Sequence, residues 1–167
     1  MNQSKGGDKY HRFYNSRAEH KCFFARYDPA TGEYLMGQQF CGRLSSGRAN
    51  AVVTKTGAIT ADKRGNVYVV GKAAYGLPLN LNPDGKDYTG GGFLLVMSSD
   101  LKRRLLCTRV QAGKGSSHAV DACIRNGHAF AVYGGSKMQS GMFVRGAIQK
   151  EAADDEEGFF VLLRSVR

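Results

Sequence analysis

The chain has 167 residues, enough for one domain with a real core, and its 42% hydrophobic content with 22 glycines and 3 prolines marks a globular, turn-rich protein, not a disordered chain or a helical bundle. Its formal charge of +10 is uneven, because Glu151, Asp154, Asp155, Glu156 and Glu157 crowd one short run and leave the rest of the chain strongly basic, a balance that attracts polyanions. No apolar run approaches the roughly 18 residues that cross a bilayer, the longest being Phe93 to Met97 and Phe159 to Leu163.

Residues 1–21 mix charge, histidine and aromatic pairs without periodicity, which predicts a basic, loosely ordered arm with a short strand at most over Tyr10 to Tyr14. The arm lacks the apolar stretch of a secretory signal. Strand character begins at Cys22: Cys22 to Tyr27 and Glu33 to Phe40 flank the turn residues Asp28-Pro29-Ala30-Thr31-Gly32 and predict a hairpin. Gly57 to Asp62 and Val67 to Gly71 flank Lys63-Arg64-Gly65-Asn66, whose glycine and asparagine tolerate the positive φ of tight hairpins. Gly92 to Met97 and Leu105 to Val110 flank the polar Ser98 to Arg103. His118 to Ile124 and His128 to Gly134 flank Arg125-Asn126-Gly127, and Gly158 to Leu163 supplies one more strand.

These pairs repeat. Gly92-Phe93 recurs 66 residues on at Gly158-Phe159, and Gly65 recurs 62 residues on at Gly127. The runs Val67 to Val70, Phe93 to Met97 and Phe159 to Leu163 are continuously apolar, which predicts burial on both faces. Linkers such as Leu77 to Gly85 hold too much proline, asparagine and glycine to form covering helices, so sheets must cover sheets. The expected fold is therefore all-β, with four-stranded antiparallel blades of a β-propeller: a partial blade over 22–42, a full one over 51–110 and a partial one over 118–167. A two-sheet sandwich is the alternative. Propellers need at least about four blades, roughly sixteen strands. The predicted strands fall short, so this incomplete propeller is expected to be part of a longer chain or to associate as a homo-oligomer.

On these residues the chain resembles the bacterial β-propeller repeat family often labelled SBBP. The match is carried by Ile59-Thr60-Ala61-Asp62, Gly65-Asn66, Val67 to Gly71 and Phe93 to Val96, with Asn126-Gly127 inverted in the second copy and Gly92 where the family has an acid. The resemblance implies a scaffold or binding role, and export if the natural polypeptide is longer, and it assigns no catalytic residue.

Site chemistry is sparse. Cys22, Cys41, Cys107 and Cys123 lack zinc-ligand spacing and have apolar neighbours, so burial is expected; a Cys107 to Cys123 disulfide would need adjoining strands. His11, His20, His118 and His128 show no ligand spacing, and Ser116-Ser117-His118 does not make a triad by adjacency. Asn80, Asn82 and Asp84 alternate like calcium ligands with Asp87 close behind, but Gly91 stands where the closing glutamate belongs and Lys86 sits inside, which favours a structured turn over a metal site. Acids 151–157 read as a solvated insert. Tyr75, Lys86, Tyr88, Lys102, Arg103 and Arg104 are the expected partner-binding surface, basic and aromatic-bearing. The leading expectation is a non-enzymatic module without cofactor that binds a protein or glycan. Behind it stand an electrostatic binder of nucleic acid or another polyanion, and a hydrolase or lyase on a propeller scaffold.

Overall fold

The computed structural model describes Arg12 and residues 21–53, 59–82, 85, 88–110, 121–125, 129–136 and 157–164, the last three stretches by their backbone alone. The described residues are all-β: strands are antiparallel, no helix occurs among them, and their sheets do not close into a barrel. No helix among them is long and apolar enough to cross a membrane. The arm apart from Arg12 and Lys21, the turn at Asn126-Gly127 and the acidic run up to Glu156 lie outside the described residues.

Three layers organise the chain. The first is the hairpin of β1 (Cys22–Tyr27) and β2 (Tyr34–Phe40). A short ribbon follows, β3 (Gly42–Arg43) with β4 (Ala49–Asn50). The second layer is a five-stranded sheet in which β5 (Val52–Val53) and β6 (Ile59–Ala61) share one edge of β7 (Val67–Ala73), followed in order by β8 (Gly91–Met97) and β9 (Arg104–Arg109). It is a meander with four strand positions, the first of them split. The third layer is β10 (Asp121–Arg125), β11 (Ala129–Ser136) and β12 (Glu157–Arg164), in that order.

Strand pairing repeats between layers. In the first, Phe23 faces Gln39 and a bulge falls between Arg26 and Tyr27; in the second, Phe93 faces Arg109 and a bulge falls between Val96 and Met97. Both strands and the bulge thus recur 70 positions on. The turn bond recurs too: Asp28 N–H donates to Glu33 O at 2.8 Å and Ser98 N–H to Arg103 O at 2.9 Å. Between the second and third layers, Gly71 facing Phe93 becomes Gly134 facing Phe159, and Ile59 facing Val69 becomes Ala122 facing Val132. Here β6 and β7 recur 63 positions on, one more than the glycine-to-glycine spacing of the two turns, while β8 recurs after 66 as the Gly-Phe spacing has it. The glycine opposite phenylalanine has a steric reason at Gly71, where an added Cβ would stand 2.4 Å from Val53 O and 3.0 Å from the Phe93 ring.

Burial follows from this stacking. Strand side chains alternate between faces, so Phe93, Leu95 and Met97 share the front of the second layer with Val67, Val69 and Cys107, all buried. Cys22, Phe24 and Phe40 of the first layer complete that core, with Phe40 and Phe93 ring centroids 5.3 Å apart. The rear face carries Tyr68, Val70, Leu94, Val96 and Thr108, and these are buried as well. The backbone of β10 runs close to β6 and β7. Two-sided apolar runs therefore mark two-sided burial for β7 and β8; Phe159 to Leu163 belong to strands described by backbone alone.

Two local devices hold the layers together. Leu101 adopts φ 56, the left-handed region, and is 1% exposed. That conformation costs a non-glycine residue about 1–2 kcal/mol, against about 1.5–3 kcal/mol for burying a leucine side chain. Its carbonyl accepts from Gln38 Nε2 of the first layer at 2.8 Å. Along the edge of β9, Asn80 N–H donates to Cys107 O at 3.0 Å and Leu81 N–H to the same oxygen at 3.2 Å, while Asn80 Oδ1 accepts from Cys107 N–H. The proline-rich linker thus covers a strand edge. Cys22, Cys41 and Cys107 are buried, as their apolar neighbours suggest.

Two-sided burial has a measurable signature. Leu94→Ala on the rear face and Leu95→Ala on the front should each cost about 2–5 kcal/mol in urea unfolding. A sheet with one wet face would lose stability at only one of the two.

Candidate functional site

The expected binding residues do not form one surface. Tyr75 is exposed and follows the end of β7 where Ala73 faces Gly91; Lys102 and Arg103 are exposed in the turn at the other end, beyond Met97. Seven residues of β8 separate the two ends, about 20 Å at strand rise. Tyr88 is not on a surface at all: it is buried, with its hydroxyl donating to Gly91 O at 2.5 Å and lying 3.4 Å from Ala73 O. Burial drives its phenol far above the ordinary range. An aromatic in a polar linker here pins the end of the β7 and β8 pair.

Arg104 is likewise turned inward. As the first residue of β9 it faces Met97 across the bulge, its guanidinium lies 5.1 Å from the Phe40 ring centroid, and Nη1 donates to Pro78 O at 3.3 Å. A cation over an aromatic face is stabilised by the ring quadrupole. Asn80 is committed to β9 as described, and Asn82 Oδ1 accepts from Arg109 Nη2 at 2.9 Å. Desolvation holds the buried Arg109 below its ordinary value. Lys86, Asp84 and Asp87 lie outside the described residues. No group of three or more histidine, cysteine or acidic side chains comes within metal-binding reach among the described residues.

What the fold does assemble is a cluster of turns at the Met97 end of the second layer. The turn between β6 and β7 and the turn between β8 and β9 lie side by side there, because Val67 faces Met97. Gly65, at φ +79, is close enough to Ser99 that an added Cβ would lie 3.3 Å from the serine Cβ. Arg26 of the first layer donates through Nη2 to Gly65 O. Four exposed cations belong to this cluster: Lys63 and Arg64 from one turn, Lys102 and Arg103 from the other. Lys63 and Arg64 read in the sequence as turn residues only, and the pairing of Val67 with Met97 is what joins them to Lys102.

The acids of the same turns accept hydrogen bonds from within those turns. Asp62 Oδ1 accepts from Arg64 N–H at 2.9 Å and Asn66 N–H at 2.8 Å, and Oδ2 from Asn66 Nδ2 at 2.9 Å and Tyr68 Oη at 3.1 Å. Burial raises the Asp62 pKa, but the hydrogen bonds from Asn66, Tyr68 and Arg64 together outweigh it and leave the carboxyl below its ordinary value. Tyr68 is pushed up to about 12, first by burial and then by the adjacent Asp62 charge. Asp100 accepts from Ser98 Oγ at 2.6 Å and Lys102 N–H at 3.1 Å, bonds that lower its pKa. The motif residues Asp62, Gly65 and Asn66 therefore build a turn, and the four exposed cations of the two turns outnumber their carboxylates Asp62 and Asp100.

No family model matches the chain, and no curated protein or solved structure is significantly similar to it.

Acid titration tests the Asp62 turn. A carboxyl with a lowered folded pKa stabilises the protein fully above its unfolded pKa, about 3.9 for aspartate, and that stability is lost as pH falls through the folded value. Asp62→Ala should cost about 1–2 kcal/mol at pH 6, through its lost hydrogen bonds. Thermal melts should show the gap to the parent protein narrowing towards pH 2. A pH-independent gap would deny Asp62 this role.

Proposed function

We propose that the protein is a non-enzymatic binding or scaffold module of β-propeller type, whose stacked layers present a basic turn end to an acidic protein or glycan partner. The observation that carries the reading is the juxtaposition of exposed Lys63, Arg64, Lys102 and Arg103 on two adjoining turns. Cations held by a rigid sheet are oriented before a partner arrives, which reduces the ordering cost of binding. The neighbouring Asp62 and Asp100 satisfy backbone and side-chain donors of their own turns, so they are occupied where a general acid or base would have to be available. That favours binding over the hydrolase or lyase reading.

The propeller element rests on the meander with four strand positions, on pairings and a bulge that recur from layer to layer, and on burial of both faces of β7 and β8. Within this reading, the residues that carry the resemblance to the SBBP repeat have structural roles. Its Asp, Gly and Asn residues make the Asp62 turn, and its terminal glycine, Gly71, lies where Val53 O and the Phe93 ring leave no room for a Cβ. Lys102 and Arg103 remain in the proposed surface with Lys63 and Arg64 added, and Tyr75, Tyr88 and Arg104 leave it.

Binding to a sulfated polysaccharide, followed by calorimetry across a salt series, tests the proposal. Charge reversal of Lys102 and Arg103 should weaken affinity about tenfold, given up to about 1 kcal/mol for each exposed contact, and should flatten the salt dependence. Equal affinity of parent and variant would sink the assignment of this surface. A duplex DNA arm distinguishes the polyanion alternative, for which log K falls by about 0.9 per log unit of salt for each phosphate neutralised.

A further inference from the structure

We propose that the outer face of the first layer, centred on Phe23 and Tyr27, is the docking site for the last layer of a second copy of this chain, so that copies add head to tail. The proposal rests on the layered reading above.

Register makes the argument. With the shift of 70, Phe23 and Tyr27 occupy the positions that Phe93 and Met97 hold in the second layer. In the second layer those positions form the front face, and what covers them is the rear of the layer before, through Phe24 and Phe40. The front of the first layer is built alike. Its Phe23 ring reaches over Gly37, where an added Cβ would lie 3.1 Å from the ring, and Tyr27 meets Tyr34 edge-on at 5.7 Å. Yet Phe23 is 45% and Tyr27 54% exposed, while their counterparts Phe93 and Met97 are 0% and 6% exposed.

The same register says what surface fits. A front face in this chain is covered by the rear of another layer, and the rear positions of the third layer are apolar. Phe160 and Leu162 stand there at the positions of Leu94 and Val96, and Tyr133 and Ala131 at those of Val70 and Tyr68. Those four counterparts in the second layer are buried. Front on rear is a heterologous contact, which extends into a ring or a filament and does not stop at a symmetric pair.

The test uses the full chain and its mass in solution. The parent protein should exceed one chain in mass at about 100 μM, a concentration at which weak interfaces assemble. Phe23→Asp should weaken this association at least about thirtyfold, as expected for a central aromatic anchor, with an unchanged circular dichroism spectrum because Phe23 is at the surface. Leu162→Asp should block the other face, and mixing the two variants should restore a complex of two chains, since each keeps the face the other has lost. A parent protein that remains a monomer, or variants that do not combine on mixing, overturns the proposal; if Leu94→Ala and Leu95→Ala still prove equally damaging, the layered reading survives it. Should Leu162→Asp fail to fold, a mixture of Phe23→Cys and Leu162→Cys proteins under mild oxidant replaces it. Disulfide-linked pairs of the two variants then support the proposal, and their absence overturns it.

Discussion

The described structure depends on the burial of β7 and β8 on both faces with no helix among the described residues to cover them. Phe93 through Val96 are fully buried although they alternate in direction, so each face needs its own cover. The cover on the front is another piece of sheet, and the geometry of sheet on sheet then dictates the remaining features. Layers must be thin, their turns must gather at the ends, and side chains on either face must fit a neighbour. Gly71 beneath Phe93 and Leu101 in its left-handed conformation are local concessions to that fit.

The bulges show how closely the layers are matched. A bulge strengthens local twist, and two sheets nest only if their twists agree. In the first two layers it falls at the same register position, beside a turn closed by the same bond. Repetition here is therefore visible in backbone pairing even where side chains have diverged, as between Arg26 and Val96 or Gln38 and Thr108.

That divergence explains what the amino-acid sequence reveals and what it conceals. The all-β class, the hairpin turns at Asp28 to Gly32 and at Lys63 to Asn66, and the two-sided runs are local properties, legible from residue type and period. Which residues share a surface is not local. Lys63 and Lys102 share one end of the sheet because Val67 pairs with Met97, a relation between positions 30 residues apart that no motif encodes. Tyr75 and Lys102, both in segments between strands, end up at opposite ends of a strand. Arg104 and Tyr88 show the other limit: a charge following two basic residues, and a tyrosine among glycines and acids, both read as surface until the packing supplies a ring for one and a carbonyl for the other.

The shared register of β1 with β2 and β8 with β9 also bears on how such a chain changes length. A segment that begins and ends at equivalent points carries its own front, rear, bulge and turn, so inserting or excising it joins surfaces that already fit. Growth by whole segments leaves the packing intact, whereas a single residue gained inside a strand would swap its two faces and misplace every side chain beyond it. The architecture thus tolerates large edits better than small ones.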